Sequence, residues 1–183
     1  KQDVDIEIFA NGQHKIRGVT THSLFKTEQF EHIHDPYYET VAIVQAHMLY
    51  ALNTIRERGD FDIIHDHNTH FGPAFWAMAS HMDAVPPILH TFHGPAFTAS
   101  GSDDFGAVYN RLDLEQFHDM GSMYMTCISH AMSDSAPPEI RPHLLAAVHN
   151  AIEVGDFPFV DRKKDYYTTL ARFAPYKGQA LAA

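Results

Sequence analysis

The stretch "FDIIHDHNTHFG", Phe61 to Gly72, decides how the rest of the chain is read. It opens on a short apolar run and then places three histidines, His65, His67 and His70, within six positions. Residues two apart on a strand face the same way, so His65 and His67 can converge on one point. Two readings open from this: ligands for a metal ion, or the polar mouth of a pocket at the end of a strand.

The flanks set the architecture. Val4 to Phe9 alternates as a strand and ends at the turn pair Asn11-Gly12, and "GVTTHSLF" (18–25) is a second strand candidate. From Tyr37 to Arg58, apolar residues recur at Val41, Val44, Met48, Leu49, Leu52 and Ile55, with Gly59 where a helix C-cap belongs. "FDIIHDH" then reads as a short buried strand, and "FGPAFWAMASHM" as a helix that tolerates Pro73 in its first turn. "PPILHTFHG" (86–94) is the next strand, "DFGAVYNRLDLEQFHDM" (104–120) a helix, "GSMYMTCIS" a strand and "HAMSDSA" a short helix. "LLAAVHNAI" (144–152) is another strand, "YYTTLARF" (166–173) a further one, and "PYKGQALAA" (175–183) the start of a helix. Strands that alternate with helices and read as continuous apolar runs predict an α/β fold, a parallel sheet with helices on both faces. In such sheets ligands bind beyond the carboxyl ends of the strands. Histidine, hydroxyl and amide groups collect there: His65 and His67, His90 and His93, Ser129 and His130, His149 and Asn150.

Composition narrows the function classes. The 183 residues suit one domain of ordinary size, or one domain plus a piece of another. The formal net charge is −10 with no offsetting Lys/Arg cluster, which argues against nucleic acid or an anionic membrane as partner. The single cysteine, Cys127, allows no intrachain disulfide and fits a reducing, cytoplasmic compartment. It lies inside an apolar strand and is expected to be inert. No apolar run reaches the roughly 18 to 20 residues of a membrane span. Among the 15 histidines, His14, His22, His32, His47, His81 and His118 show no partner spacing and read as surface or packing residues. Both ends read as cut, so the chain is expected to be a segment of something longer.

Several chemistries lack their motif. "GSDDFG" (101–106) has no G-x-G-x-x-G spacing and follows no strand directly, and there is no G-x-S-x-G. "DFD" (60–62) and "DVD" (3–5) mimic a D-x-D metal-nucleotide motif but sit at the wrong end of their strands. The spacing of His65, His67 and His70 resembles the H-x-H-x-D-H run of metallo-β-lactamase-like zinc hydrolases. Thr69 stands in the Asp slot, and its uncharged hydroxyl is a poor ligand for a second hard metal.

Four stretches in order resemble the family 4 retaining glycosyltransferases of the GT-B fold. They are "FDIIHDHNTHFGPAF", "PPILHTFHGPAF", "TCISHAMSDSA", and "VHNAIEVGDFPF" with "YYTTLARFAPYKGQALAA" after it. The last pair is similar to an N-G-[IV]-D crossover and a G-R-x-x-x-x-K-G entry to a second Rossmann-like domain. The resemblance implies a Rossmann-like acceptor-side domain over 1–153, a linker over 154–165 and the start of a nucleotide-sugar-binding domain over 166–183. It implies transfer of a sugar from a UDP- or GDP-type nucleotide-sugar donor to a hydroxyl of a sugar, lipid or small-molecule acceptor, with no metal or other cofactor. His93 then lines the reaction centre, Arg172 and Lys177 contact the donor diphosphate, and His67, Asn68, Gly94 and Ser129 line the cleft. Asn150 and Glu153 belong to the crossover. A guanidinium and an ammonium can stabilise a departing diphosphate as Mg²⁺ does elsewhere. The chain departs from the pattern at Ala151, Glu153 and Ala171, and the family's first strand, glycine-rich loop and first helix would precede Lys1. The other readings are the zinc hydrolase on His65, His67 and His70, and a non-catalytic module that binds a sugar or nucleotide.

Overall fold

The helical spacing that follows Tyr37 becomes α1, Tyr38–Arg58, in a computed structural model of the chain. The structure describes residues 4–12, 14–25, 38–67, 72–93, 120–138, 140–152, 154–156, 161 and 165. On α1 the buried face carries His47, Met48, Ala51, Leu52 and Ile55, with Val44 partly buried, a stripe at helical spacing. Leu49, expected on that stripe, is exposed, because it lies one position past Met48 and a step of 100° turns it outward. The Val41 side chain is outside the described residues. The helix stops at Gly59, which takes φ +66° and donates its N–H to the Ile55 carbonyl at 2.9 Å. That bond satisfies one of the orphan carbonyls at the helix end, and glycine adopts the left-handed conformation without a Cβ penalty.

The other elements are β1 (Glu7–Phe9), β2 (Thr20–His22), β3 (Ile64–Asp66), α2 (Gly72–Ala79), β4 (Ile88–Phe92), β5 (Met123–Cys127) and α3 (His130–Asp134). Short 3₁₀ turns lie at Arg141–His143 and Val154–Asp156. All strand pairing is parallel among the described residues, as the apolar strands predict, so the class is α/β. The strands form two sheets rather than one: β1 pairs with β2, and β3, β4 and β5 pair in that order. Contacts divide the chain into Lys1–Asn150 and Ala151–Ala183, and all seven elements named above, with α1, belong to the first unit. The helix expected over 104–120 (Met120 apart), the strand over 166–173 and the helix over 175–183 fall outside the described residues.

The core sits on the three-stranded sheet. The central strand β4 buries Ile88, His90, Thr91 and Phe92, and β5 buries Met123, Met125, Thr126 and Cys127. Trp76 and Ala77 of α2, Met120, Ile140 and the α1 stripe complete one cluster. Two strand expectations need correction. "FDIIHDH" is not a strand buried on both sides. It is the edge of its sheet among the described strands, and its alternation buries Ile64 while Ile63 and His65 are exposed on the opposite face. "LLAAVHNAI" is not a regular strand either. Leu145 donates to the Met125 carbonyl and Val148 to the Cys127 carbonyl, each at 2.8 Å. Three residues on one side thus span two on the other, a bulge, and the Thr126 hydroxyl satisfies the displaced Ala146 carbonyl at 2.8 Å.

β1 is held to the end of α1 by charge and stacking. Arg58 grips both carboxylate oxygens of Glu7 at 2.7 and 2.9 Å and reaches Asp60 as well. Its guanidinium lies 4.4 Å over the Phe61 ring. His22, opposite Phe9 on the adjacent strand β2, also reaches Glu7 and stacks on Phe9 with ring centroids 4.4 Å apart. Hydrogen bonds from Arg58 first, and His22 second, hold the Glu7 carboxyl down at about 2. A lowered folded value contributes stability that is present above the unfolded value near 4.5 and is lost as the pH falls through about 2. Acid titration followed by circular dichroism should therefore show a loss of stability between those limits that is reduced in Glu7→Gln.

Gly121 leads into β5 with φ +52°, and a Cβ built there would lie 2.8 Å from Ser80 Oγ and 3.3 Å from the Ser80 carbonyl oxygen. Ser80 Oγ cannot simply retreat, since it donates to the Ala77 or Met120 carbonyl at 2.7 and 2.8 Å. Gly121→Ala should cost about 1–3 kcal/mol in denaturant unfolding, from backbone strain together with the clash.

Candidate functional site

Parallel pairing sets Asp66 of β3 directly opposite His90 of β4, and Phe92 opposite Cys127 of β5. The carboxyl ends of three strands therefore lie side by side, and the residues that follow them emerge together. Alternation along β3 sends His65 and His67 to one face and Asp66 to the other. The two imidazoles sit with ring centroids 4.1 Å apart, as the two-residue spacing predicts. His93, the first residue after β4, brings its Nε2 to 2.8 Å from Nδ1 of His67. His65 Nε2 lies 2.7 Å from the Thr91 hydroxyl. Three histidines from two adjacent strand ends thus form one continuous rim.

Behind the rim is a buried pair. His90 is fully buried, and its Nδ1–H donates to Asp66 Oδ2 at 2.6 Å. Its Nε2 has no hydrogen-bond partner among the described residues. The bond fixes the ring orientation and anchors the β3–β4 register at the point where the site begins. Neither Asp66 nor Thr91 is singled out by sequence. The signal for Asp66 was its place between His65 and His67, which turns it inward, but its partner depends on strand register.

The proton inventory of the rim is constrained. In the His67–His93 contact one ring nitrogen must carry the hydrogen and the other must accept it, so the pair shares one proton at that contact. Burial, and then the neighbouring His65 and His93, hold His67 below the ordinary histidine value. Burial is also the main cause that holds His65 low. At neutral pH both rings are uncharged, able to donate through one nitrogen and accept through the other. A neutral imidazole pair at strand ends can pass a hydrogen bond to a substrate hydroxyl or accept one from it.

Other expected residues are placed as follows. Ser129 follows β5 and its Oγ accepts the Met132 N–H at 3.3 Å, so it caps α3. His130 and His149 meet with ring centroids 5.3 Å apart, and Asn150 is exposed beyond them. Cys127 is buried and its burial pushes the thiol up, which keeps it protonated and unreactive, as expected of an apolar strand. Asn68, His70, Gly94, Glu153, Arg172 and Lys177 lie outside the described residues. Among the described residues no group of three or more His, Cys, Asp or Glu side chains is placed to hold a metal ion. No helix among them is long and apolar enough to cross a membrane. No family model matches the chain, and neither a curated protein nor a solved structure matches it.

Lowered histidine values carry a sign. The folded chain resists the protons that unfolded histidines take up below about 6.5, so stability from His65 and His67 is present above that pH and lost below it. The thermal midpoint should therefore fall as the pH goes from 7 to 5. In an NMR titration of the histidine ring protons, His67 should titrate below its ordinary value, and His93→Ala should move it upward by removing a neighbouring charge.

Proposed function

We propose that this chain is the acceptor-side part of a retaining glycosyltransferase, in which the strand-end rim faces the sugar that is transferred. The observation that carries the reading is the 2.8 Å contact between His67 and His93 at the carboxyl ends of two adjacent parallel strands. The four motifs described above support it from the sequence. Under this reading the bond between the anomeric carbon and the donor diphosphate breaks, a bond from that carbon to an acceptor hydroxyl oxygen forms, and the hydroxyl proton passes to the departing diphosphate. His93 donates a hydrogen bond to the transferred sugar, and His67 sets which nitrogen of His93 carries the hydrogen. Arg172 and Lys177 take the diphosphate charge, Asn68, Gly94 and Ser129 complete the cleft, and Asn150 and Glu153 belong to the crossover. The donor is a nucleotide sugar, and the acceptor is a hydroxyl on a sugar, lipid or small molecule.

Transfer assays on the full polypeptide that contains this chain, with a panel of UDP- and GDP-sugars, test the proposal. His93→Ala should lower kcat/KM by about 100-fold, the scale of one well-placed hydrogen-bonding or proton-transfer group. His67→Ala should have a smaller effect, because it acts through His93. Transfer unchanged by His93→Ala, or absent with every donor, would remove the assignment.

A further inference from the structure

A cavity of about 830 Å³ lies in the first unit, lined by residues of β1, β3, α1 and α2. Its wall is mostly apolar: Val44, Met48, Ala51 and Ile55 come from α1, and Phe9 and Ile64 from the strands. Val4, Ile6 and Ile63 also line it and are exposed, so apolar side chains stand at its mouth as well. The polar groups of the wall are unusual. Asn11 Oδ1, Trp76 Nε1 and both ring nitrogens of His47 are buried without a hydrogen-bond partner among the described residues. Those are four of the five such atoms found there, and all four belong to residues that line this one cavity. Trp76 is 3% exposed and His47 7%. Burial holds His47 below the ordinary histidine value, against a weaker pull from the Phe9 backbone. Its ring is therefore uncharged at neutral pH, with one N–H and one bare nitrogen.

We propose that this cavity binds a neutral, mostly hydrocarbon molecule that carries a hydroxyl group, an aryl or alicyclic alcohol. This binding does not depend on the reaction proposed above. Size fits first, since pockets for small organic ligands enclose roughly 300–1,000 Å³ and are mainly apolar with a few polar groups. Charge comes next. Among the described lining residues there is no Lys or Arg, so a buried anion would find no countercharge. The carboxylates are engaged or in water: Glu7 is held by Arg58 and His22, Asp66 by His90, and Asp5 is exposed. A cation therefore gains little, and the groups left to recognise a ligand are neutral. Hydrogen bonding then names the head group. A hydroxyl can accept from Trp76 Nε1 or the His47 N–H, and can donate to Asn11 Oδ1 or the bare His47 nitrogen. A hydrocarbon supplies neither partner and a ketone only the first. Buried donors and acceptors are costly to leave unpaired, so pairing them favours the alcohol over a hydrocarbon of the same shape.

Titration of the 183-residue chain with β-naphthol, which is neutral at pH 7, tests the proposal, with naphthalene as the hydrocarbon control and naphthalene sulfonate as the anionic one. β-Naphthol should bind saturably, one per chain, and about tenfold more tightly than naphthalene, the scale of one or two hydrogen bonds gained. The sulfonate should bind at least about tenfold more weakly than β-naphthol, for want of a countercharge. Trp76 is the only tryptophan, so its indole N–H is a direct reporter in NMR spectra. That resonance should move downfield with β-naphthol, because it gains an acceptor, and not with naphthalene. Trp76→Phe should lower the affinity for β-naphthol, read by the probe's own fluorescence, about fivefold and leave naphthalene unchanged. The comparison of probes on the unmutated chain decides the matter even where Trp76→Phe does not fold. Equal affinity for the alcohol and the hydrocarbon overturns the proposal, as does tighter binding of the sulfonate, no saturable binding, or a Trp76 N–H unmoved at saturation. Binding that weakens as the chain concentration rises also overturns it, since a second copy is then the occupant.

Discussion

The parallel register between β3 and β4 is the constraint on which the rest depends. Ile64 sits opposite Ile88 and Asp66 opposite His90. A slip of one residue would turn Ile64 outward and His65 inward, and would separate Asp66 from the buried His90. Two forces hold the register. Burial of Ile64 and Ile88 in the common core sets the alternation, and the Asp66–His90 hydrogen bond marks its end. The second is the more specific, because a buried imidazole without that carboxylate would leave both ring nitrogens without a described partner.

From that register the rim follows without further instruction. His67 is the residue after β3 and His93 the residue after β4, so aligned strand ends deliver them to the same place. The core beneath is apolar and rigid, and the polar groups begin where the strands end. His90 and Asp66 lie at the boundary, one fully buried and the other nearly so. Such a pair orients a site from below while the exposed histidines above it remain free to meet a ligand.

A second anchoring works through α1. Its C-terminal Arg58 holds Glu7, Asp60 and Phe61 together, so β1 is tied to the end of the helix that leads into β3. Phe9 extends the tie by packing near Tyr50 and Phe61. The two small sheets are thereby kept near one another without pairing. Residues of both sheets, Phe9 and Ile64 among them, line one cavity in this unit.

Much of the frame was legible in the residues. The period of α1, its stop at Gly59, the position of Pro73 in α2, and apolar β4 and β5 all follow from local chemistry, because helix caps, backbone restrictions and burial act over a few neighbours. The convergence of His65 and His67 was legible for the same reason, since strand alternation is local. Cys127 read correctly as a buried thiol. What no local pattern contains is pairing. That His67 meets His93, that Asp66 meets His90, that "FDIIHDH" is an edge and that Leu145 to Val148 bulges away from β5 all depend on contacts between residues more than 15 positions apart. The sequence by itself determined most of the apolar stripe of α1, its stop at Gly59 and the apolar character of β4 and β5, because those are properties of a short stretch in water. Only the tertiary structure decided which ends lie together, because strand register is chosen by the burial and hydrogen bonding of the sheet as a whole.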